Sequence, residues 1–234
     1  MKKFYLNNDQ KILGQSTDQK DFYLLRCTEF KKEPIGFNKI VFLGDSITEA
    51  GDWNTYFNTK KTVNRGISGD TTEGVLVRLE EIYYYRPLAV LLLIGINDIF
   101  NTAYPERDDI VPENVAKNIL LIANTISKNS RSTKLYIQTV LPVNHQIYTK
   151  TNGTFPVHSI PLSTKIKEIN SLIKDMCNKN DLLQTMDLHS IFKNGTGQLK
   201  KAYTEDGVHL NEKGYATWVE KIKIDVPLLN HLIK

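Results

Sequence analysis

A chain of 234 residues with 41% hydrophobic and 24% charged side chains carries enough apolar material for one sizeable core without help from metals or disulfides. No window approaches the roughly 18 uninterrupted apolar residues of a spanning helix, and Cys27 and Cys177 lie far apart with no second thiol or histidine at metal spacing. A membrane span, a disulfide scaffold and a zinc site are thereby excluded, and the net charge of +4 is scattered in pairs such as Lys31-Lys32, Lys60-Lys61 and Lys200-Lys201, a solvated surface and not a nucleic-acid footprint.

In chain order, the start Met1-Lys2-Lys3-Phe4-Tyr5-Leu6 is basic like a signal peptide, but its apolar run ends at Leu6 and no small-residue cleavage site follows. No export signal is expected, which leaves a cytoplasmic protein or the processed form of an exported one. Residues 1–35 read as a helical extension, with one helix over 21–30, on a single domain spanning 1–234. Short β-branched or apolar runs then alternate with helical patterns, the signature of a parallel sheet covered by helices. The strands are expected at 39–43, 62–64, 88–94, 134–140 and 183–188. The run 88–94 is apolar throughout and belongs in the middle of the sheet, buried on both faces.

Between the strands, Val75, Leu79 and Ile82 mark a helix starting near Thr71, with Asp70 as the N-cap candidate and Glu73 three residues on. Val115, Ile119, Ile122 and Ile126 mark a helix after Pro112, and Ile166, Ile169, Ile173 and Met176 mark another after Pro161. Cys177 continues this last pattern as a small buried hydrophobe. A final helix follows Asn211 with Tyr215, Trp218, Val219 and Ile222. Residues 144–159 have no period and read as a loop, either a wall of the crevice at the carboxyl ends of the strands or a plain surface excursion.

Four segments fall where that crevice should lie. In Gly44-Asp45-Ser46-Ile47-Thr48 a strand ends in a glycine, an acid and a hydroxyl before a helix; the turn exposes Ser46 Oγ and aims its N–H at a developing anion, although capping alone explains Asp and Ser equally well. In Asn64-Arg65-Gly66-Ile67-Ser68-Gly69-Asp70 two glycines three apart allow a backbone N–H to approach a ligand, or make an ordinary turn. Gly95-Ile96-Asn97-Asp98 presents the Asn97 amide at the same edge, or serves as a turn. In Asp206-Gly207-Val208-His209 the carboxylate can reach the imidazole Nδ1–H and leave Nε2 as a base; His145, His158, His189 and His231 are assigned no role.

Together the four segments resemble the blocks of the SGNH (GDSL-type) hydrolase family, with Ser46, Gly69, Asn97 and His209 at the positions that give the family its letters, over about residues 40–218. The run Asn64 to Thr72 and the pair Leu141-Pro142 look like the sialate O-acetylesterase-like subgroup, and are similar to the catalytic subunits of intracellular platelet-activating-factor acetylhydrolase. Two departures from the family pattern are present, Ile47-Thr48 after the serine where the family's older name has Leu, and Ile96 where many relatives carry Thr, and Ile96 borders the pocket. No Gly-x-Ser-x-Gly elbow is present.

The resemblance implies a flavodoxin-like three-layer α/β/α sandwich on a five-stranded parallel sheet. It implies a serine esterase with Ser46 as nucleophile, His209 as base and Asp206 orienting it. Ser46, Gly69 and Asn97 would form the oxyanion hole, with no metal or cofactor. A small-molecule or glycan ester is the implied substrate, with short acyl groups on a carbohydrate as the first reading. A thioesterase or lysophospholipase is the alternative within the family, and a catalytically silent carbohydrate-binding protein the alternative from another class.

Overall fold

The computed structural model describes residues 4–5, 12, 15–100, 110–156, 159–179 and 183–232. Its centre is a parallel sheet of five strands, β1 (Ile40–Gly44), β2 (Thr62–Gly66), β3 (Ala89–Leu93), β4 (Lys134–Gln138) and β5 (Leu183–Met186), in the order β2-β1-β3-β4-β5. The apolar run that forms β3 is buried at every position and takes the middle place, as its composition requires. Each expected strand is present, with ends moved by one or two residues. Chain direction across the sheet reverses between β1 and β3, so the crevice where open α/β sheets bind ligands opens beyond the carboxyl ends of these two strands.

Helices cover both faces. On one, α4 (Thr72–Leu76), α5 (Glu80–Tyr85), α6 (Ile96–Phe100), α7 (Pro112–Asn129) and α9 (Leu162–Cys177) pack together. Both α7 and α9 bury the isoleucine stripe read from their period, Ile119, Ile122 and Ile126 in one and Ile166, Ile169 and Ile173 in the other. On the other face, α3 (Trp53–Tyr56) meets α11 (Glu212–Asp225) through Trp53 and Trp218, edge to face at 4.8 Å, while Trp53 stacks on Phe42 of β1 at 4.0 Å. The buried Trp218 indole donates to Gln138 Oε1 at 2.6 Å, which satisfies both groups in the core. Short helices α2 (Ser46–Glu49), α8 (His145–Asn152), α10 (Leu188–Phe192) and α12 (Pro227–Leu232) complete the chain after α1 (Thr17–Lys32).

Helix α1 is longer than its expected 21–30 because Ser16 and Gln19 close a capping box at its start. Its buried face, Tyr23, Cys27 and Phe30, forms a small second core with Tyr5, Ile12 and Ile67.

Three expectations are corrected. Asp70 does not cap the helix after β2; Thr71 does, accepting from the Gly74 N–H, while Asp70 turns inward to Arg78. The single helix expected there is two, α4 and α5, because Arg78 between them folds into the interior. Residues 144–159 are not wholly a loop: Asn144 caps α8, which ends at Gly153, and this helix buries none of its residues, so it shows no apolar stripe.

Candidate active site

The register aligns Gly44 with Gly66 on β2 and with Leu93 on β3, so three strand-end loops leave the sheet at one level, with that of β1 in the middle. A Cβ on Gly44 would lie 2.1 Å from Leu93 O and 2.4 Å from Thr48 Oγ1, so only glycine lets the chain turn there. Asp45 is the N-cap of α2 and accepts from Ile47 N–H at 3.0 Å. Capping and exposure are therefore shared between neighbours: Asp45 takes the cap and is buried, and Ser46 begins the helix with its hydroxyl free to face the crevice.

His209 reaches that hydroxyl from the far end of the chain, with Nε2 2.9 Å from Ser46 Oγ. Its Nδ1 lies 2.6 Å from Asp206 Oδ2, while Asp206 Oδ1 accepts the N–H groups of Val208 and His209, each at 2.8 Å. This tight turn requires Gly207, whose φ is +89° and whose Cβ would lie 2.5 Å from Asn144 O. The carboxylate holds the ring proton on Nδ1, so the Nε2 lone pair faces the serine hydroxyl. Beside Ser46, the loop after β2 carries Gly69 at φ +76°, and no hydrogen bond engages the Gly69 N–H among the described residues. The loop after β3 carries Asn97, whose Nδ2 donates to Asp70 O at 2.9 Å, leaving a second N–H on the same nitrogen. The sequence-derived residues thus gather in two linked groups: Ser46, His209 and Asp206 in one bonded chain, and Gly69 and Asn97 in the loops on either side of it.

A family model described as GDSL-like lipase/acylhydrolase matches residues 42–217. The chain belongs to that family. This GDSL-type hydrolase is 28% identical over 204 residues to the platelet-activating factor acetylhydrolase IB subunit alpha2 of Rattus norvegicus, covering 85% of the chain and 77% of that protein. The alpha1 subunit of Pongo abelii is 26% identical over 191 residues, 79% of the chain and 72% of that protein. Among solved structures, a GDSL-like lipase of Bacteroides thetaiotaomicron superposes with TM-score 0.70 at 25% identity, covering 88% of the chain and 97% of its own. An acetyl xylan esterase shares the fold, with TM-score 0.64 at 21% identity over 80% of the chain and 99% of its own. The protein is a carboxylic ester hydrolase of this family, and no helix among its described residues is long and apolar enough to cross a membrane.

The electrostatics of the GDSL-type site follow from its bonds. The hydrogen bond to Asp206 raises the His209 pKa above its ordinary 6.5, against the opposing effect of burial. Burial alone would raise Asp206, but the bonds from the His209 ring and from the Val208 and His209 N–H groups outweigh it and hold the carboxyl well below the usual range. Behind the serine, burial pushes Asp45 up to about 7, with the Ile47 N–H and His209 opposing it.

The sequence reading missed the groups that hold these loops. Arg78 donates to the ends of both β1 and β2, to Gly44 O at 3.0 Å and Arg65 O at 2.8 Å, and pairs with Asp70. Arg65 pairs in turn with Glu81 at 2.9 Å, deep below the surface. Thr72 ties the start of α4 to Asp98, its N–H donating at 3.0 Å. Of the unassigned histidines, His189 is buried with Nδ1 3.1 Å from Val140 O, and His145 stands edge-on to Phe155. Neither bonds to Ser46, and His158 lies outside the described residues. Segment 144–156 does approach the site: Asn144 N–H donates to Gly207 O at 2.7 Å, and Tyr148 and Phe155 pack edge to face with Phe100 just past Asn97.

Proposed function

We propose that this hydrolase is a serine esterase that removes acetyl or other short acyl groups, with a carbohydrate as the favoured alcohol. The observation that carries the reading is the bonded chain Ser46 Oγ, His209 and Asp206 at the switch point of the sheet, with Gly69 and Asn97 alongside. In this mechanism His209 Nε2 takes the Ser46 proton as Oγ attacks the ester carbonyl, and Asp206 stabilises the imidazolium. The developing oxyanion is held by the N–H groups of Ser46 and Gly69 and the free Asn97 amide hydrogen. His209 then hands its proton to the departing alcohol, and water repeats the attack on the acyl-serine with His209 again as base. The short acyl group is supported by the acetylhydrolase relatives, and the glycan by the likeness of residues 64–72 to the O-acetylesterase-like subgroup. Its half-exposed His209 and Asp206, 45% and 35% accessible, leave room for a polar alcohol to remain in water.

The test is a series of p-nitrophenyl esters followed by acetylated oligosaccharides. Acetate should be turned over well above octanoate and palmitate, and a preference for palmitate would overturn the short-acyl reading. Turnover should survive EDTA; a loss reversed by a divalent ion would overturn a mechanism carried by Ser46 alone. Asn97→Ala should lower kcat on the order of 100-fold or more, since one oxyanion donor is worth about 2.7–4 kcal/mol. Activity should fall on acidification as His209 protonates. Because its pKa is raised, the midpoint should lie above 6.5, and Asp206→Asn should move it down while lowering kcat.

A further inference from the structure

We propose that Glu49 is a positioning residue for the oxyanion loop and that the N-terminal helix α1 supports it there; the proposal rests on the serine-esterase reading above. Gly69, with no Cβ and φ +76°, has little intrinsic preference that would fix the direction of its N–H, so its aim depends on what tethers the residues around it. On the far side the tether is the Asn97 amide on Asp70 O and the turn bond from Asp70 N–H to Ile67 O at 3.0 Å. On the near side it is Glu49. One carboxylate oxygen, Oε2, accepts both the N–H of Ser68 at 2.5 Å and its hydroxyl at 2.6 Å, and Ser68 immediately precedes Gly69.

Glu49 is also the last residue of α2, three positions after Ser46, so a single side chain links the nucleophile's helix to the donor's loop. Its other oxygen lies 2.9 Å from Arg26 Nε of α1, an ion pair with poor hydrogen-bond alignment. Helix α1 backs the same loop at further points. Gln19 places Nε2 3.1 Å from where a Cβ on Gly69 would stand, with its own Oε1 turned to the Ser16 N–H. Within the loop, Ile67 belongs to the apolar cluster of α1, and just beyond it Tyr23 donates to Gly74 O of α4 at 3.0 Å. The loop is thus held between α1 and α2, and Glu49 joins the two.

The experiment compares Glu49→Ala and Glu49→Gln with the wild type and Ser46→Ala on p-nitrophenyl acetate, together with thermal midpoints and amide hydrogen exchange at Ser68. Glu49→Ala is expected to lose about tenfold or more in kcat with KM within about twofold, because a misaimed donor is felt in the transition state, and to leave the acid midpoint in place. Glu49→Gln keeps a carbonyl that accepts from Ser68 and should recover most of that loss. A Glu49→Ala kcat within twofold of wild type overturns the proposal, and so does a loss that Glu49→Gln shares in full. Should Ser46→Ala retain wild-type turnover, the serine-esterase reading is what fails. Exchange then decides on Glu49: faster exchange at Ser68 in Glu49→Ala, with core strands unchanged, upholds the tether, and unchanged exchange removes it.

Discussion

Ser46→Ala is expected to lose on the order of 10⁴–10⁶-fold in kcat while melting close to the wild type. On the proposed mechanism, removing the hydroxyl takes away the attacking atom but only one hydrogen bond, to a half-exposed histidine, so about 1 kcal/mol of stability at most is at stake. Nucleophile and base act as a unit, so Ser46→Ala combined with His209→Ala should be no slower than either alone. What remains is expected to come from binding and the oxyanion donors. Steady-state kinetics on p-nitrophenyl acetate, with mass spectrometry of the trapped acyl-enzyme, measure both. Losses that multiply in the double variant would show that the two side chains do not serve one proton transfer.

The second large effect concerns stability. Arg78 and Asp70 are 1% and 0% exposed, and the guanidinium also donates to Gly44 O and Arg65 O. Arg78→Met removes the cation and leaves a buried carboxylate with only the Thr71 N–H to hold it among the described residues, and it takes one donor each from Gly44 O and Arg65 O, a change that typically costs about 3–5 kcal/mol. Burial already raises Asp70 to about 6 against the pull of Arg78, and losing Arg78 pushes it higher. A carboxyl whose folded pKa is raised loses stability as pH climbs through that value, so the penalty should be greatest near pH 8 and shrink toward pH 5. Urea unfolding at the two pH values tests this; a pH-independent penalty would mean that losing Arg78 leaves the titration of Asp70 unchanged. Since Arg78 grips the ends of β1 and β2, residual activity should fall too, through displacement of Ser46 and the Gly69 loop.

What could be read from the chain follows the strength of local signals. The all-apolar run in β3 has one reading, and the stripes of α7 and α9 had no rival. Ser46 and Asn97 were legible as polar residues just past the ends of β1 and β3, and Asp206 and His209 as an acid and an imidazole three apart just before the last long helix pattern. Asp70 misled because an acid before a helix looks the same in sequence whether it caps or turns inward; the difference lies in Arg78, eight residues on in the break between α4 and α5. Helix α8 was not legible because it buries none of its residues and so shows no apolar stripe, although its Asn144 and Gly153 ends were in the sequence. Glu49 shows a different limit. Its partners Arg26 and Ser68 lie in two other segments, and no spacing rule joins them.

Ser46 and His209 are 163 residues apart and are joined only when the last loop before α11 settles beside the first strand. During synthesis Ser46 therefore emerges long before His209. On the proposed mechanism, a nascent or cleaved chain that ends before His209 has an inert serine, whatever sheet it has begun to build. Parallel strands, paired only through long crossovers, are slow to complete. Recovery of ester hydrolysis after dilution from denaturant should accordingly lag behind the return of helical circular dichroism, and so time the final closure of the fold.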